Sequence, residues 1–123
     1  MNWKFTEDRP IWVQLSEQLS AQITAGVYGP GERLPSVREF AAQAGVNPNT
    51  MQRALADLES QGLLVTNRTA GRSVTQDMER IRTLRADQAR AQVAQFLETM
   101  DSMGFSRQEI MAVLEEAIKE EEA

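Results

Sequence analysis

The sequence has 123 residues and a formal net charge of -5, with no cysteine and no histidine. This length is enough for one or two small modules but leaves little room for an enzyme with an enclosed pocket. The missing thiols and imidazoles exclude thiolate catalysis, histidine acid/base chemistry and the usual Cys/His zinc sites. We therefore expect a small protein that is not an enzyme and that needs no cofactor.

The sequence shows no sign of export or membrane insertion. Its first ten residues, MNWKFTEDRP, lack the apolar core of a signal peptide. No uninterrupted apolar run approaches the length of about 20 residues that a membrane-spanning helix needs. We therefore expect a cytoplasmic protein with no membrane partner.

The negative charge is concentrated in the C-terminal part of the chain. Residues 1–75 hold seven Lys/Arg and seven Asp/Glu, so this part is neutral overall. Residues 76–123 hold the remaining six basic and eleven acidic residues, which accounts for the whole excess. An acidic protein is an unusual nucleic-acid binder, but this distribution leaves the N-terminal part able to approach an anionic polymer.

A first helix is predicted directly after Pro10, because proline suits the first helical position. The apolar residues that follow share a spacing of four and form one stripe: Ile11, Leu15, Leu19 and Ile23. Such a stripe is typical of a helix with one buried face. The next segment, YGPGERLP at residues 28–35, contains two glycines and two prolines and therefore predicts a turn.

Two further helices are predicted on either side of a short turn. Ser36 and Glu39 have the spacing of a capping box at the start of the second helix, and Gly45 can end it. Asn47 is a favoured N-cap and Pro48 a favoured first residue for the third helix. The predicted buried face of the third helix consists of Met51, Ala54, Leu55 and Leu58. Two helices joined by about three residues with a glycine form a helix-turn-helix.

The pattern after the third helix predicts a hairpin. Two short strands are expected at residues 63–66 and 72–75, with a glycine-containing turn at residues 67–71. The predicted fold class is therefore mainly α, with an N-terminal winged helix-turn-helix domain of three helices and a two-stranded wing at residues 1–75. Residues 76–123 are predicted to form a second domain, a C-terminal two-helix hairpin.

The outer face of the third helix carries polar side chains rather than a dense set of charges. Asn49, Gln52 and Arg53 project from this face. Asn and Gln can form paired hydrogen bonds with adenine, and Arg can do the same with guanine or hold a phosphate. A sharply defined N-terminus also directs free N–H groups and the positive end of the helix dipole at phosphates. The alternative interpretation is an ordinary solvated helix face.

Three segments between residues 26 and 65 have a characteristic order and spacing: PGERLPSVRE, NPNT and RALxxLExxGLL. Together they resemble the DNA-binding domain of the GntR family of bacterial transcription regulators. The short two-helix tail, together with Pro48 and Gln52, is similar to the YtrA-like branch of that family. The resemblance implies a sequence-specific regulator that binds double-stranded DNA, and we expect a repressor that covers a promoter.

The resemblance also implies which residues touch DNA. They are Ser36, Arg38, Asn47, Asn49, Thr50, Arg53 and the wing around Gly71. The outer face of the third helix adds Gln52, and the wing adds Arg68 and Arg72 as residues that can reach phosphates. Other branches often carry arginine at the positions of Pro48 and Gln52, which implies a different base preference here. The wing sequence, TAGRSV at residues 69–74, departs from the family's frequent G-x-G-x-aromatic-V, so minor-groove contact by its tip does not carry over.

The predicted tail has apolar stripes on both of its helices and little core between them. The stripes consist of Val93, Phe96, Leu97, Met100 and Met103 on one helix and Ile110, Val113, Leu114, Ala117 and Ile118 on the other. A two-fold homodimer would bury both stripes in a four-helix cluster and present two third helices to an inverted-repeat operator. The alternative is that the stripes pack on the winged domain of the same chain.

Two other functions fit the same sequence. The first is a regulator that responds to a small-molecule effector, with a hydrophobic site among the methionines and phenylalanines of the tail. No residue pattern identifies that effector. The second is a winged-helix adaptor that binds protein instead of DNA, which the acidic composition and the unusual wing would suit.

Overall fold

A computed structural model describes residues 3–123 of the chain. These residues form five helices and one two-stranded sheet, in the order α1 (Ile11–Thr24), α2 (Val37–Ala44), α3 (Pro48–Ser60), β1 (Leu64–Asn67), β2 (Gly71–Val74), α4 (Met78–Ser102) and α5 (Arg107–Glu122). The predicted fold class is confirmed, since three helices and a two-stranded wing precede two further helices. The predicted strands are displaced by one residue each, β1 toward the C-terminus and β2 toward the N-terminus.

The chain divides into two compact units, of which the first ends at Ala86 and the second spans Asp87–Ala123. The division lies within α4, whereas the domain boundary predicted at residue 75 lies just before this helix. Residues 1 and 2, which the predicted N-terminal domain includes, lie outside the described residues. Within residues 3–123, no helix is long and apolar enough to cross a membrane.

The core of the first unit is built by one face of each of its first three helices. The α1 stripe is buried at Leu15, Leu19 and Ile23, and the predicted inner face of α3 is buried at Met51, Ala54, Leu55 and Leu58. Phe40 of α2 is fully buried in the same core. Trp3 and Tyr28 meet the Phe40 ring edge-on, with centroid distances of 6.1 and 6.0 Å. This core fixes α3 so that its opposite face is held toward solvent.

Partly buried hydrogen bonds fix the position of α1 relative to its neighbours. The Ser16 hydroxyl of α1 donates to Asp57 Oδ2 of α3 at 2.6 Å. The Gln61 side-chain amide donates to the same oxygen at 2.9 Å. Gln14 of α1 accepts from the Thr6 backbone N–H at 2.8 Å and donates to the Thr6 carbonyl at 2.9 Å. The side-chain bond between Ser16 and Asp57 therefore joins α1 directly to α3, in addition to their apolar contact.

The wing is wider than the hairpin that the sequence predicts. β1 and β2 pair antiparallel, from Leu64 opposite Val74 to Asn67 opposite Gly71. The free edge of β2 pairs with the segment before α2, where an isolated bridge joins Arg33 to Ser73. The Val74 N–H donates to the Glu32 carbonyl at 2.9 Å, and the Leu34 N–H to the Arg72 carbonyl at 3.0 Å. The segment predicted only as a turn is thus held against the wing.

The start of α4 is attached to the end of α3. Asp77 accepts a hydrogen bond from the Arg80 backbone N–H at 3.1 Å, which satisfies a donor in the first turn of α4. The Arg80 side chain donates from Nε to the Gln61 carbonyl at 2.7 Å. Ile81 is buried against the core of the first unit. The first turn of α4 is therefore an integral part of the winged unit.

In the second unit the chain turns at Gly104, whose φ of 86° is in the left-handed region that favours glycine. α5 then begins with the predicted capping box, in which the Ser106 hydroxyl accepts from the Glu109 N–H at 3.1 Å. Glu109 in turn accepts from the Ser106 N–H at 2.9 Å, and these hydrogen bonds lower the pKa of the Glu109 carboxyl. Local interactions therefore define the turn between α4 and α5.

Candidate nucleic-acid interface

The N-terminus of α3 is sharply defined. Asn47 has an extended backbone and its side chain accepts a hydrogen bond from the Asn49 N–H at 2.8 Å, while Pro48 is the first helical residue. Beyond this cap, Asn49, Gln52 and Arg53 are exposed and Thr50 is half-buried. The inner face is buried as predicted, so the outer side chains lie outside the core and are available to a ligand.

The turn before α3 fixes the angle at which this helix leaves α2. Gly45 ends α2 with φ 70° and ψ 33°, a left-handed conformation that glycine adopts without strain. The Val46 N–H then donates to the Ala41 carbonyl at 3.0 Å, which satisfies an otherwise unpaired carbonyl at the helix end. Val46 itself packs against the core. The turn is thus determined by both backbone hydrogen bonding and apolar contact.

The predicted contacts on α2 lie at its N-terminus. The Ser36 hydroxyl accepts from the Glu39 N–H at 3.3 Å and donates to the Glu39 carboxylate at 3.0 Å. Ser36 is therefore an N-cap, and this role occupies its hydroxyl. Arg38 is exposed in the first turn of the same helix. Of these two predicted contacts, Arg38 is the one whose side chain is free to extend.

The turn of the wing is organised by Asn67. Its side-chain oxygen accepts from the Thr69 N–H at 3.0 Å and from the Ala70 N–H at 3.4 Å. Gly71, with φ 76°, begins the returning strand. Arg68 lies in this turn and is exposed. The wing therefore presents Arg68 to solvent from a turn that is held by local hydrogen bonds.

Arg72 lies differently from Arg68, because it anchors the wing to α3. Its Nε donates to Glu59 Oε1 at 2.5 Å, and the Thr66 hydroxyl donates to the same oxygen. Burial opposes ionisation of Glu59, but the hydrogen bonds from Thr66 and Arg72 outweigh it and lower the pKa of the carboxyl. The Arg72 side chain is only 17% exposed. A phosphate contact by Arg72 would therefore require it to leave Glu59.

Uncompensated positive charge lies on the elements that are predicted to face DNA. Arg33, Arg38, Arg53 and Arg68 make no ion pair with any residue in 3–123, whereas Arg9 pairs with Glu17. Arg33 was not among the predicted DNA contacts. Arg33 is exposed and lies beside β2, where it pairs with Ser73. Its Nε is 4.0 Å from the position that a Cβ atom would take at Gly71. The local signal in the sequence was the charged Arg33 directly before the apolar Leu34, which suits a short extended segment with one buried face.

An open groove of about 420 Å³ lies between the starts of α1 and α3. It is lined by Ile11, Trp12, Asn49, Thr50 and Arg53. The Arg53 guanidinium carbon lies over the Trp12 ring, 4.2 Å from its centroid. Trp12 is adjacent to the apolar stripe of α1 rather than part of it, and the sequence pattern gave it no role. It is the second functional candidate that sequence reasoning missed.

The predicted dimerisation residues are mostly accessible in the single chain. Val93, Phe96, Met103, Val113, Leu114, Ala117 and Ile118 are exposed, and Leu97 and Met100 are half-buried. Met111 of α5, which was not predicted, is also 54% exposed. Ile110 differs from the rest because it is 2% exposed, so it has no surface left to offer a second chain.

Comparisons with known sequences agree with this geometry. Residues 13–74 match the family model described as bacterial regulatory proteins, gntR family. The chain is 32% identical over 111 residues to the uncharacterised HTH-type transcriptional regulator YhcF of Bacillus subtilis, covering 90% of this chain and 92% of YhcF. It is 37% identical over 68 residues to the HTH-type transcriptional repressor YtrA of Bacillus subtilis, covering 55% of this chain and 52% of YtrA.

Solved structures extend the likeness to the fold of most of the chain. A GntR family transcriptional regulator from Listeria monocytogenes superposes with a TM-score of 0.85 at 35% identity, covering 91% of this chain and 98% of that chain. The DNA-binding domain of AraR, in complex with operator ORR3, superposes with a TM-score of 0.52 at 32% identity. That match covers 61% of this chain and 88% of the AraR chain, so it concerns the winged unit chiefly.

Proposed function

The chain belongs to the GntR family of bacterial regulatory proteins, and from this premise we propose that it is a dimeric repressor that reads an inverted-repeat operator through α3. As a member of this family it is a DNA-binding transcription regulator and not an enzyme. The name of its relative YtrA supports the repressor assignment. The observation that carries the proposal is the exposed polar face of α3 behind its capped N-terminus.

On this proposal α3 enters the major groove with its N-terminus leading. Asn49 and Gln52 would read base edges through their amides, and Arg53 would bind guanine or a phosphate. Asn47 supports this docking because its cap prevents fraying of the first turn, which has to aim these side chains. The AraR structure supports operator binding by this kind of domain, because the similar DNA-binding domain of AraR is in complex with an operator there.

We propose that the arginines around α3 that make no ion pair contact the phosphates of the DNA backbone. Arg38, Arg33 and Arg68 extend from α2, from the segment beside β2 and from the wing turn. Each phosphate that such a side chain neutralises releases counterions, so affinity should fall steeply as salt rises. The overall charge of -5 does not oppose this binding, because the excess acid lies after residue 75.

The homodimer is supported by the tail. Side chains such as Met103 and Val93 are 63% and 55% exposed, and Ile118 is 50% exposed on α5. Several large apolar side chains exposed on one small two-helix unit are typical of an association site. Association through a two-fold axis would place two α3 helices on one operator, which raises affinity beyond that of a single small module.

The proposal is tested by replacing Arg53 with alanine and measuring binding to the duplex that the wild-type protein selects from a random pool. We expect Arg53→Ala to lose about 1 to 3 kcal/mol of specific binding. The control Arg90→Ala removes the same charge from the tail and should bind as the wild type does. Equal affinity of wild type and Arg53→Ala would remove Arg53 from the residues that contact DNA.

The selected sequences test the dimer independently of Arg53. We expect two inverted half-sites whose centres are separated by about one helical turn, 10 to 10.5 base pairs, or a multiple of it. A single half-site without a symmetric partner would overturn the dimeric part of the proposal and leave DNA binding intact.

A further inference from the structure

In the groove between α1 and α3, the Trp12 ring contacts the Arg53 guanidinium, and this contact predicts a function for Trp12. The guanidinium lies 4.2 Å from the ring centroid, well within the range of about 6 Å for a cation–π contact. Tryptophan is the aromatic side chain that attracts a guanidinium most strongly. We propose that Trp12 is a positioning residue that holds Arg53 in its DNA-reading orientation before the operator arrives, an inference that rests on the proposed function of α3.

The ring can serve as a reference point because α1 is fixed relative to α3. Leu15, one turn after Trp12, is completely buried. The Ser16 hydroxyl of α1 donates to Asp57 of α3 at 2.6 Å. Trp12 lies between these fixed residues and the start of its helix, and is itself half-buried. The backbone that carries the Trp12 ring is therefore held in place relative to α3.

The Trp12 ring positions the Arg53 guanidinium without neutralising its charge, as a carboxylate partner would. Arg53 makes no ion pair within residues 3–123, and Asp57, one turn further along α3, accepts from Ser16 and Gln61 instead. Arg72 shows the contrasting case, because its Nε–H group donates a hydrogen bond to the Glu59 carboxylate. An aromatic face leaves the guanidinium N–H groups available, and these are the groups that bind guanine or phosphate.

Holding Arg53 in advance matters because a free arginine has many rotamers. Each rotamer that is lost on binding DNA reduces the affinity, and restricting the side chain beforehand avoids that loss. On this basis Trp12 increases the affinity for the operator without contacting a base. Its effect should disappear when Arg53 is absent, and that dependence distinguishes positioning from a direct contact.

The test is a double-mutant cycle with the duplex that the wild-type protein selects from a random pool. Trp12→Leu keeps an apolar side chain but removes the aromatic face, and we expect about a 3- to 10-fold loss of affinity. Trp12→Phe keeps an aromatic face and should bind within about threefold of the wild type. In an Arg53→Ala background, Trp12→Leu should cause no further loss.

Two outcomes overturn the inference, and they separate it from the proposed function. If Trp12→Leu costs as much in the Arg53→Ala background as in the wild type, Trp12 acts independently of Arg53, while the reading role of α3 stands. If Arg53→Ala itself binds as the wild type does, the reading role of Arg53 fails and the positioning role fails with it.

A measurement on the free protein does not depend on any DNA. The indole ring current should shift the NMR signals of the Arg53 side-chain protons, and Trp12→Leu should return them to the values of a solvated arginine. Trp12→Phe should retain part of the shift. If Trp12→Leu does not fold, the shift in Trp12→Phe is compared with the shift in the wild type instead. Arg53 signals that are unshifted in the wild type would overturn the inference outright.

Discussion

The winged unit buries most of its large apolar side chains, whereas the second unit leaves most of its own exposed. The core that surrounds Phe40 lies wholly in the first unit, and within Asp87–Ala123 Ile110 is buried while Met103 and Met111 remain more than half exposed. The first unit therefore contains its own stabilisation and exposes polar side chains for a ligand. The second unit exposes apolar side chains instead, which is the composition of a surface that needs a partner. Under the proposed function, the first unit would read DNA and the second unit would provide association.

The largest expected effect compares two phenylalanines. Phe40→Ala should reduce the free energy of unfolding by about 3 to 5 kcal/mol, because it empties the centre of the winged core. Phe96→Ala removes the same atoms from a side chain that is 39% exposed, and in dilute solution it should cost less than about 1 kcal/mol. Urea unfolding at low and high protein concentration measures both.

The two variants should also differ in how their loss of unfolding free energy depends on protein concentration. Phe96→Ala should cost more as the concentration rises, because association stabilises the wild type more than the variant. Phe40→Ala should show the same loss at every concentration. Equal losses for both variants in dilute solution would mean that the tail is stabilised within one chain, and the comparison would fail.

The next effect concerns association alone. Leu114→Glu puts a charge on the exposed apolar face of α5, and we expect the dimer dissociation constant to rise at least tenfold, about 1.4 kcal/mol. Ala112→Glu is the matched control, since helical spacing places residue 112 on the other face with Glu115 and Glu116. Sedimentation equilibrium reports both constants, and an unchanged constant for Leu114→Glu would contradict the assignment of this face.

The smallest effect lies in the wing and depends on pH. Hydrogen bonds from Thr66 and Arg72 outweigh burial and lower the pKa of Glu59 in the folded protein. The stabilisation is therefore complete above the unfolded-state pKa of about 4.3 and is lost as the pH falls through the lower folded-state pKa. Glu59→Gln should lack this component, which we expect to be about 1 kcal/mol. Unfolding at pH 6 and at pH 3 checks it, and identical pH dependence of the two proteins would rule out the anchor.

Local signals were sufficient for most of the fold. The N-cap Asn47 with Pro48 fixed the start of α3, and the periodicity behind them identified both of its faces. The strands of the wing were displaced by one residue because four-residue strands contain little periodic information. Helix α4 begins at Met78, two residues after the start of the predicted C-terminal domain, since Asp77 provides its cap.

The contacts that matter most at the site were not predictable in this way. Trp12 and Arg53 are 41 positions apart in sequence, and only the packing of α1 on α3 brings them together. The pairing of Arg33 with Ser73 is also long-range, so a turn-like composition concealed it. Glu59 and Arg72 were both present in the sequence as ordinary charges, and their mutual contact became apparent only in three dimensions.

The hydrogen bond from Arg80 to the Gln61 carbonyl has a mechanical consequence. It joins the first turn of α4 to the end of α3 at 2.7 Å, and it involves a charged donor. Rotation of α4 about its own axis would carry Arg80 away and release that carbonyl. The bond therefore couples the two helices: while it is intact, a small rotation of the first turn of α4 pulls on the end of α3, and once it breaks that pull is lost.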